Sequence, residues 1–506
     1  MLAKVSSGAN IGLNAVEVTV EVDIASQGLP NFTIVGLADR AIEEAKERVR
    51  AAIRNSNIDF PPKRITVNLA PADLPKEGPL FDLAIAVGIM IGSGQLEAEV
   101  DGTLFIGELS LDGGLRYTNG VLPLTLLART LKKKRIFVPQ ANQAEAAIVS
   151  GIEVFGFEDL AQVAGFLLGQ IDLKPAPKTV IDFANNNSYD ADFSQIKGQE
   201  QSKRALEIAA AGAHNVLMKG PPGAGKTMLA RAFPSILPSL DLDEALEVSQ
   251  IYSISGNLPK NKPLLTTRPF RSPHHTASFA GIIGGGNTIK PGEVSLAHRG
   301  VLFLDELPEF PRQVLESLRQ PIEDRCVVIS RASGSLTFPA QFILLAAQNP
   351  CPCGFLGSVK RSCICMPGQI ARYQKKLSGP LLDRIDIHLD VPAVETEKLT
   401  AQIEGESSEM IRKRVQKARQ IQKKRFRGSR ILTNSEMSNQ QIKQFCQVSK
   451  AGIELLKMAI AQLNLSARSY HRVLKLSRTI ADLAGSETIE EQHLAEALQY
   501  RAREET

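Results

Sequence analysis

A glycine-rich segment between two apolar segments constrains the fold of this 506-residue chain more than any other feature. It consists of Gly220, Pro221, Pro222, Gly223, Ala224, Gly225, Lys226 and Thr227, which fits the pattern GxxxxGK[ST]. Residues 216–218 before it and 228–232 after it are rich in apolar side chains, which indicates the order strand, loop, helix. In such a loop backbone N–H groups surround phosphates, Lys226 supplies positive charge and Thr227 ligates Mg²⁺. The segment therefore predicts a site for ATP and Mg²⁺.

A second candidate strand ends in two acidic residues. Residues 301–304 are continuously apolar, as in a strand buried on both faces, and Asp305 and Glu306 follow directly. Ligands of open α/β sheets bind at the carboxyl ends of the strands, so both carboxylates are expected beside the nucleotide. Asp305 suits Mg²⁺, and Glu306 suits the polarisation of an attacking water. The alternative is a strand that ends in two solvated acids, and the nearby phosphate loop favours the first interpretation.

Composition indicates a soluble globular protein. The chain is 43% hydrophobic and 22% charged, and its length allows roughly three domains. The longest apolar stretch, around residues 83–91, is too short to span a bilayer, and residues 1–4 do not begin a signal peptide. We therefore expect a cytoplasmic protein with no membrane segment.

Positive charge is concentrated near the C-terminus. Residues 396–506 contain 20 basic and 13 acidic residues, although the net charge of the chain is only +5. Ten basic and no acidic residues fall between Arg412 and Arg430. Such a run is either a solvated helix face or an electrostatic footprint for nucleic acid or another polyanion. The mixed charge of the remaining chain favours the polyanion.

The pattern of apolar residues divides the chain into successive regions. Valines at positions 16, 18, 20 and 22 alternate with polar residues and predict a half-exposed strand, and residues 42–53 predict a helix capped by Asp39. Another strand is predicted at 64–69, and the last helix is predicted to open with a capping box at Thr488. We place an N-terminal α/β or α+β domain at 1–170, a linker at 171–190, a strand-helix core at 191–395 and a helical domain at 396–506.

Four of the six cysteines lie within fifteen residues. They are Cys351, Cys353, Cys363 and Cys365. Cytoplasmic thiols remain reduced, and four thiolates suit a closed tetrahedral Zn²⁺ site. The CxC spacing differs from the commoner CxxC, so unliganded thiols are the alternative. A metal-bound loop here would brace Asn349, which lies just before it.

With these residues in view, the sequence resembles the ComM/YifB family of magnesium-chelatase-like AAA+ ATPases from end to end. The most specific blocks are RPFRSPHH at 268–275, the glycine-rich segments within 284–298, and NPCPCG at 349–354. The resemblance implies an α/β fold: an inactive Lon-protease-like α+β domain, an AAA+ parallel-sheet core and a C-terminal helical lid. It also implies a hexameric ring with nucleotide between subunits.

The resemblance implies roles for three further residues. Asn349, after an apolar run, resembles the sensor 1 residue that holds the attacking water with Glu306. Arg384 resembles the arginine finger that reaches the neighbouring subunit's γ-phosphate, where it would neutralise transition-state charge. Arg468 resembles the sensor 2 arginine of the lid, although Arg472 lies one turn away. A surface or ion-paired side chain is the alternative for each arginine.

Two insertions of this family are also recognisable. The segment 281–292 resembles a loop inserted into a helix, and 327–338 resembles a hairpin before sensor 1. In ring helicases both project into the pore, where Lys290 and Arg331 would grip DNA phosphates without regard to sequence. The alternative for both residues is packing within the ring.

The N-terminal domain resembles the Lon-protease-type fold without its chemistry. Leu80 stands where that family has a serine after Gly-Pro, and the expected lysine falls near Leu122. Since neither leucine can act as a nucleophile or base, we expect an inactive scaffold.

The function implied by the resemblance is an ATP-driven helicase that acts on single-stranded and branched DNA and promotes branch migration during natural transformation. A chelatase-type motor that remodels a protein partner is the main alternative, and an ATP-gated scaffold is a third. The N-terminal domain and the basic segment favour DNA.

Overall fold

The computed structural model describes the chain except for residues 1, 37–39, 75, 77, 182, 184–188, 190, 261, 287–288, 332–333, 359–360, 394–404, 430, 464 and 502–506. It divides into two compact units. The first comprises Met1–Asp182 with Leu242–Leu265, and the second comprises Phe183–Asp241 with Thr266–Thr506. The segment 242–265 therefore folds with the N-terminal unit although it lies within the interval 191–395.

Strands and helices are numbered here in chain order. The strands are β1 (Leu2–Ile11), β2 (Asn14–Ile24), β3 (Asn31–Val35), β4 (Arg64–Ala70), β5 (Thr103–Phe105), β6 (Glu108–Leu109), β7 (Leu115–Arg116), β8 (Arg135–Pro139), β9 (Glu153–Phe157), β10 (Val216–Lys219), β11 (Phe270–Arg271), β12 (Gly284–Gly285), β13 (Lys290–Pro291), β14 (Val301–Leu304), β15 (Cys326–Arg331), β16 (Gly334–Pro339), β17 (Ile343–Gln348) and β18 (Ile387–Asp390). The helices are α1 (Arg40–Asn55), α2 (Asp82–Gly92), α3 (Val121–Thr130), α4 (Gln143–Ala146), α5 (Leu160–Leu167), α6 (Glu200–Gly212), α7 (Lys226–Ala232), α8 (Leu242–Ser255), α9 (Phe279–Ile283), α10 (Glu293–Leu296), α11 (Arg312–Ser317), α12 (Arg319–Asp324), α13 (Pro367–Gln374), α14 (Gly379–Leu382), α15 (Ser408–Arg425), α16 (Asn439–Phe445), α17 (Lys450–Leu463), α18 (Ala467–Ala484) and α19 (Glu491–Gln499).

A mixed seven-stranded sheet forms the centre of the first unit. Its strand order is β3-β4-β2-β1-β5-β8-β9, with antiparallel pairs on either side of β2 and parallel pairs elsewhere. The predicted alternation is confirmed, because Val18, Val20 and Val22 of β2 are buried. The predicted strand at 64–69 and helix at 42–53 are confirmed as β4 and α1. The predicted cap, Asp39, lies outside the described residues.

Helix α8 is anchored in the first unit by a buried hydrogen-bond network. The Ser253 hydroxyl donates to Oε1 of Glu145 at 2.6 Å and accepts from the N–H of Gly120 at 3.0 Å. Glu145 also accepts from the backbone N–H of Leu122 at 3.0 Å. Leu122 is fully buried, and Leu80 is buried in a short turn of helix.

A five-stranded parallel sheet forms the centre of the second unit and confirms the predicted α/β fold. The strand order is β11-β14-β17-β10-β18, and every neighbouring pair is parallel. All four residues of β14 are buried, as the apolar run predicted. Alternate residues of β10 and β17 pack in one core with α6, α7, α15 and α18. The carboxyl ends of the strands consequently lie along one edge.

The C-terminal region is helical, as predicted, and contains α15 to α19. The predicted position of the last cap is wrong, because α19 begins at Glu491 and its cap is Glu490. His493 accepts from the backbone N–H of Glu490 at 3.0 Å and takes the place of the expected acidic partner. Among the residues that the structure describes, none belongs to a helix long and apolar enough to cross a membrane.

Candidate nucleotide site

The glycine-rich segment joins β10 to α7. The strand ends at Lys219 and the helix begins at Lys226, so residues 220–225 form the loop. Gly223 and Gly225 have φ angles of +76° and +91°, a region that a residue with a Cβ rarely adopts. The two glycines therefore allow the tight turn of the loop.

Lys226 is held inside this loop. Its Nζ donates to the carbonyl oxygens of Gly220 at 2.7 Å and Pro221 at 2.9 Å, and to Oδ1 of Asn349 at 3.1 Å. Burial lowers the pKa of Lys226, whereas the charges of Asp305 and Glu306 oppose this effect. All three hydrogen-bond acceptors are neutral, so the positive charge of Lys226 is available to an anion.

Thr227 and Asp305 are in direct contact. The Thr227 hydroxyl donates to Oδ2 of Asp305 at 2.8 Å. Neighbouring octahedral Mg²⁺ ligands at about 2.1 Å from the metal lie about 3.0 Å from one another. The two oxygens therefore already have the spacing of neighbouring magnesium ligands.

Glu306 follows Asp305 in a left-handed conformation, with φ of +52°. Its side chain is 52% exposed, and Oε2 lies 3.6 Å from Nδ1 of His275. The His275 ring lies next to that of His274, with centroids 4.1 Å apart and ring planes inclined at 33°. Sequence reasoning missed His275 as a neighbour of the candidate catalytic acid. Its place shortly after β11, at the same sheet edge, is the signal that could have identified it.

The structure thus brings together Lys226, Thr227, Asp305, Glu306 and Asn349. They follow β10, β14 and β17, whose carboxyl ends share one edge. Parallel pairing places these ends together although the residues span more than 120 positions of the sequence. The arrangement has the charged and polar groups that a nucleoside triphosphate with Mg²⁺ requires.

The two predicted arginines, Arg384 and Arg468, both lie near the carboxylate of Glu323. Nη2 of Arg384 lies 2.7 Å from Oε1 of Glu323, and Nη2 of Arg468 lies 3.9 Å from the same oxygen. The Arg384 side chain is only 13% exposed, whereas that of Arg468 is 62% exposed. Within the described part of the chain, Nε of Arg384 is buried without a hydrogen-bond partner. Glu323 carried no signal in the sequence, because it lies far from both arginines along the chain.

Arg472, the alternative to Arg468, has a structural role. Its Nη1 donates to the carbonyl oxygen of Ile385 at 2.6 Å, and the side chain is 17% exposed. It therefore ties α18 to the segment before β18, whereas Arg468 remains at the surface.

Lys290 and Arg331 lie on two separate hairpins. Lys290 is exposed on β13, which pairs with β12. Arg331 is the last residue of β15, which pairs antiparallel with β16, and its side chain lies outside the described residues. The structure therefore has a hairpin at the predicted place before β17.

The four clustered cysteines converge. Sγ of Cys351 lies 3.4 Å from that of Cys353 and 3.7 Å from that of Cys363, and all four sulfurs lie within 4.8 Å of one another. Thiolates bound tetrahedrally at about 2.3 Å from zinc lie about 3.8 Å apart, so the donor set fits the ion. Backbone N–H groups of Phe355 and Ile364 lower the pKa of Cys353 to about 6.

Part of the basic run, most of which lies on α15, is paired with other groups of the protein. Arg414 forms ion pairs with Glu207 and Glu406, and Arg419 donates to the carbonyl oxygen of Ala210. Arg425 is paired with Asp482, which is fully buried. Other basic residues of the run remain exposed, and they are Lys413, Lys417, Lys423, Lys424 and Arg427. The net charge of the run therefore overstates its exposed positive surface.

Comparison with known proteins covers nearly the whole chain. The family described as "Magnesium chelatase, subunit ChlI" matches residues 192–399, and its C-terminal family matches 405–501. "Subunit ChlI of Mg-chelatase" matches residues 20–142. The chain is 46% identical to the competence protein ComM of Haemophilus influenzae over 99% of this chain and 97% of that protein. It is 44% identical to YifB of Escherichia coli over the same shares of the two chains.

A more distant similarity is confined to part of the chain. The magnesium-chelatase 38 kDa subunit of Rhodobacter capsulatus is 28% identical over 31% of this chain and 50% of that protein.

Proposed function

The chain belongs to the ComM/YifB family of magnesium-chelatase-like AAA+ proteins, and on that basis we propose that it is an ATP-driven DNA helicase. The observation that most supports ATP hydrolysis is the convergence of Lys226, Asn349, Thr227 and Asp305 on one sheet edge. The support for DNA is the relationship to a protein named for competence. We propose that it promotes branch migration of single-stranded and branched DNA during natural transformation in the cytoplasm.

Each residue of the site has a role in this proposal. Lys226 binds the β- and γ-phosphate oxygens in exchange for its present carbonyl partners. The Thr227 and Asp305 oxygens hold Mg²⁺, which supplies charge that offsets the transferred phosphoryl group. Glu306 orients the attacking water, and Asn349 fixes the position of both that water and Lys226.

The proposed ring is a hexamer in which neighbouring copies complete the site. Arg384 is offered to the γ-phosphate of the adjacent subunit, where positive charge stabilises the transition state. Arg468 serves as the sensor 2 arginine of the helical lid. In this chain Arg384 is held by Glu323. Assembly would therefore exchange the carboxylate of Glu323 for a phosphate of the neighbour, and Lys290 and Arg331 would face DNA in the pore.

We propose that the cysteines hold one structural Zn²⁺. The support is the convergence of four sulfurs within 4.8 Å. Metal analysis of the purified full-length chain is expected to find one zinc per chain after a brief wash with chelator. A protein that retains its fold and contains no zinc would remove this assignment.

A chelatase-type motor that acts on a protein partner is the second candidate. The pairing of Arg414, Arg419 and Arg425 with other groups of the protein favours it, because this pairing weakens the electrostatic argument for DNA. The proposed N-terminal Lon-like scaffold at residues 1–170 is compatible with either motor.

The decisive test measures ATP hydrolysis with and without single-stranded or forked DNA, and the unwinding of a three-way junction. We expect stimulation by DNA and unwinding that requires ATP. Lys226→Ala is expected to abolish nucleotide binding, because the loop loses its only lysine, whereas Glu306→Gln is expected to bind ATP and stop turnover. Hydrolysis that no DNA stimulates would favour the protein-remodelling motor, and equal loss of binding in both variants would contradict the assigned roles.

A further inference from the structure

The phosphate loop has different support at its two ends. At its start, Gly220 is packed against the sheet, since a methyl group on it would lie 2.2 Å from the carbonyl oxygen of Val391. At its middle, Pro222 is exposed on one side and faces Gly354 on the other. A methyl group on Gly354 would lie 2.6 Å from both Cγ and Cδ of Pro222. The middle of the loop therefore rests on Gly354.

Gly354 belongs to the cysteine loop, which we define as residues 351–358 and 361–365. Its N–H donates to the carbonyl oxygen of Cys351 at 2.9 Å, and it directly follows Cys353. The same loop begins two residues after Asn349, which accepts the hydrogen bond from Lys226. The cysteine loop is thus connected to the nucleotide site in two ways, by the contact of Gly354 with Pro222 and by the short chain link from Asn349 to Cys351.

Sulfur contacts organise the cysteine loop. Its described residues form turns and extended segments, with no helix or strand among them. Backbone N–H groups of Leu356 and Cys353 donate to the sulfurs of Cys351 and Cys365, at 3.3 Å and 3.4 Å. A segment built in this way would gain a defined shape from a bound metal, because metal binding and local folding are coupled.

The phosphate loop and Asn349 are not closely packed on every side. A cavity of about 980 Å³ lies beside the phosphate loop and the cysteine loop. Among the residues that border it are Gly220, Pro221, Asn349, Pro350 and Leu356. Groups that border a cavity have fewer packed neighbours to hold them in place. The phosphate loop and Asn349 therefore have fewer packed neighbours on the side of this cavity.

We propose that the cysteine loop holds the phosphate loop in its nucleotide-binding shape, so that zinc occupancy sets the rate of ATP hydrolysis. Gly354 is the positioning residue through which this control acts. The inference rests on the proposed ATPase function and goes beyond it, because it makes turnover depend on a metal that never touches the nucleotide.

Two glycines of the same loop provide a matched test. Gly354 and Gly357 have similar φ angles of +81° and +75°, so alanine is similarly strained at both positions. A methyl group on Gly357 would meet no atom within 4 Å, whereas one on Gly354 would collide with Pro222. Comparison of the two alanine variants therefore distinguishes the effect of contact with the phosphate loop from the effect of backbone strain.

We expect Gly354→Ala to keep its zinc and to lower kcat by about tenfold to a hundredfold, the loss typical of a displacement near 1 Å. Gly357→Ala is expected to keep both its zinc and the wild-type kcat. Binding of a fluorescent ATP analogue, zinc content and thermal unfolding are measured on the same full-length samples. Equal kcat values for the two variants would overturn the proposal.

Metal removal provides the second arm. A chelator selective for zinc, followed by restored Mg²⁺, is expected to lower kcat and weaken binding of the ATP analogue, and stoichiometric Zn²⁺ is expected to restore both. Cys363→Ser is expected to reproduce the loss, whereas Cys326→Ser, which lies outside the cluster, is expected to behave as the wild type. Full turnover by zinc-free protein would refute the coupling.

The outcomes distinguish the two proposals. Zinc-bound wild-type protein that does not hydrolyse ATP would defeat the proposed function, whereas zinc-independent hydrolysis would defeat only the coupling. If Gly354→Ala unfolds, the metal-removal arm decides, because it changes no residue of the phosphate loop. Turnover that falls when zinc is removed and returns with Zn²⁺ supports the coupling, and unchanged turnover contradicts it.

Discussion

At the scale of single residues, burial decides how Asp82 behaves. Its side chain is 1% exposed and lies 2.9 Å from Nε of Arg48. Burial raises the pKa of Asp82 from 3.8 to about 6, although Arg48 opposes the increase. The folded state therefore holds this proton more tightly than the unfolded state. The resulting stability is fully present below pH 3.8 and is lost as the pH rises through about 6.

We predict that the difference in unfolding free energy between wild type and Asp82→Asn falls as the pH rises over this interval. The fall is at most about 3 kcal/mol, at about 1.4 kcal/mol per pH unit. Urea unfolding of the full chain at several pH values measures it. Glu47→Gln, at a surface carboxyl group that is 78% exposed, is measured alongside as the control. A difference that rises with pH would show that the ion pair with Arg48 dominates instead.

At the scale of the element, α15 combines a structural face with an exposed basic face. Arg414 pairs with Glu207, whose side chain is 5% exposed. Arg414→Ala is expected to destabilise the protein by about 1–2 kcal/mol, because it removes charge-assisted hydrogen bonds at a half-exposed site. Lys417 and Lys424 are exposed, so their replacement by alanine should leave stability unchanged and weaken binding to DNA.

Thermal unfolding and fluorescence anisotropy with labelled single-stranded DNA separate these two faces. The double variant Lys417→Ala/Lys424→Ala should also show a shallower salt dependence, by about 0.7 for each lost phosphate contact. Unchanged affinity and salt dependence would mean that α15 does not contact DNA. In that case its charge serves only the protein fold.

At the scale of the whole molecule, the proposed site is shared between copies. Lys226→Ala and Arg384→Ala should each be inactive alone. Mixed in equal amounts, they should recover about a quarter of the wild-type activity if subunits exchange at random, because some seams then pair an intact loop with an intact arginine. ATP hydrolysis of the mixture and sedimentation with ATP and DNA measure the recovery and the assembly.

A mixture of Lys226→Ala with Glu306→Gln provides the control. Both changes damage the same chain's part of the site, so no seam in that mixture is intact. A shared site would be contradicted if the protein remained monomeric with ATP and DNA present and the first mixture recovered no ATP hydrolysis.

From the amino-acid sequence alone one can predict the phosphate loop, the buried strand before Asp305, the α/β fold of the core and the family. These features are local, since a phosphate loop needs contiguous glycines and a buried strand needs a contiguous apolar run. Physical constraints on neighbouring residues are therefore visible in the linear chain.

Three features became visible in the tertiary structure and not before. The segment 242–265 folds with the first unit, Arg384 and Arg468 both lie near Glu323, and Gly354 contacts Pro222. The tertiary structure also paired Arg414 with the buried Glu207, which the charge count could not reveal. Such contacts join residues that are distant along the chain, and their geometry depends on how whole elements pack. No local pattern of residue types encodes that geometry, because water could hydrogen-bond to the same polar side chains equally well.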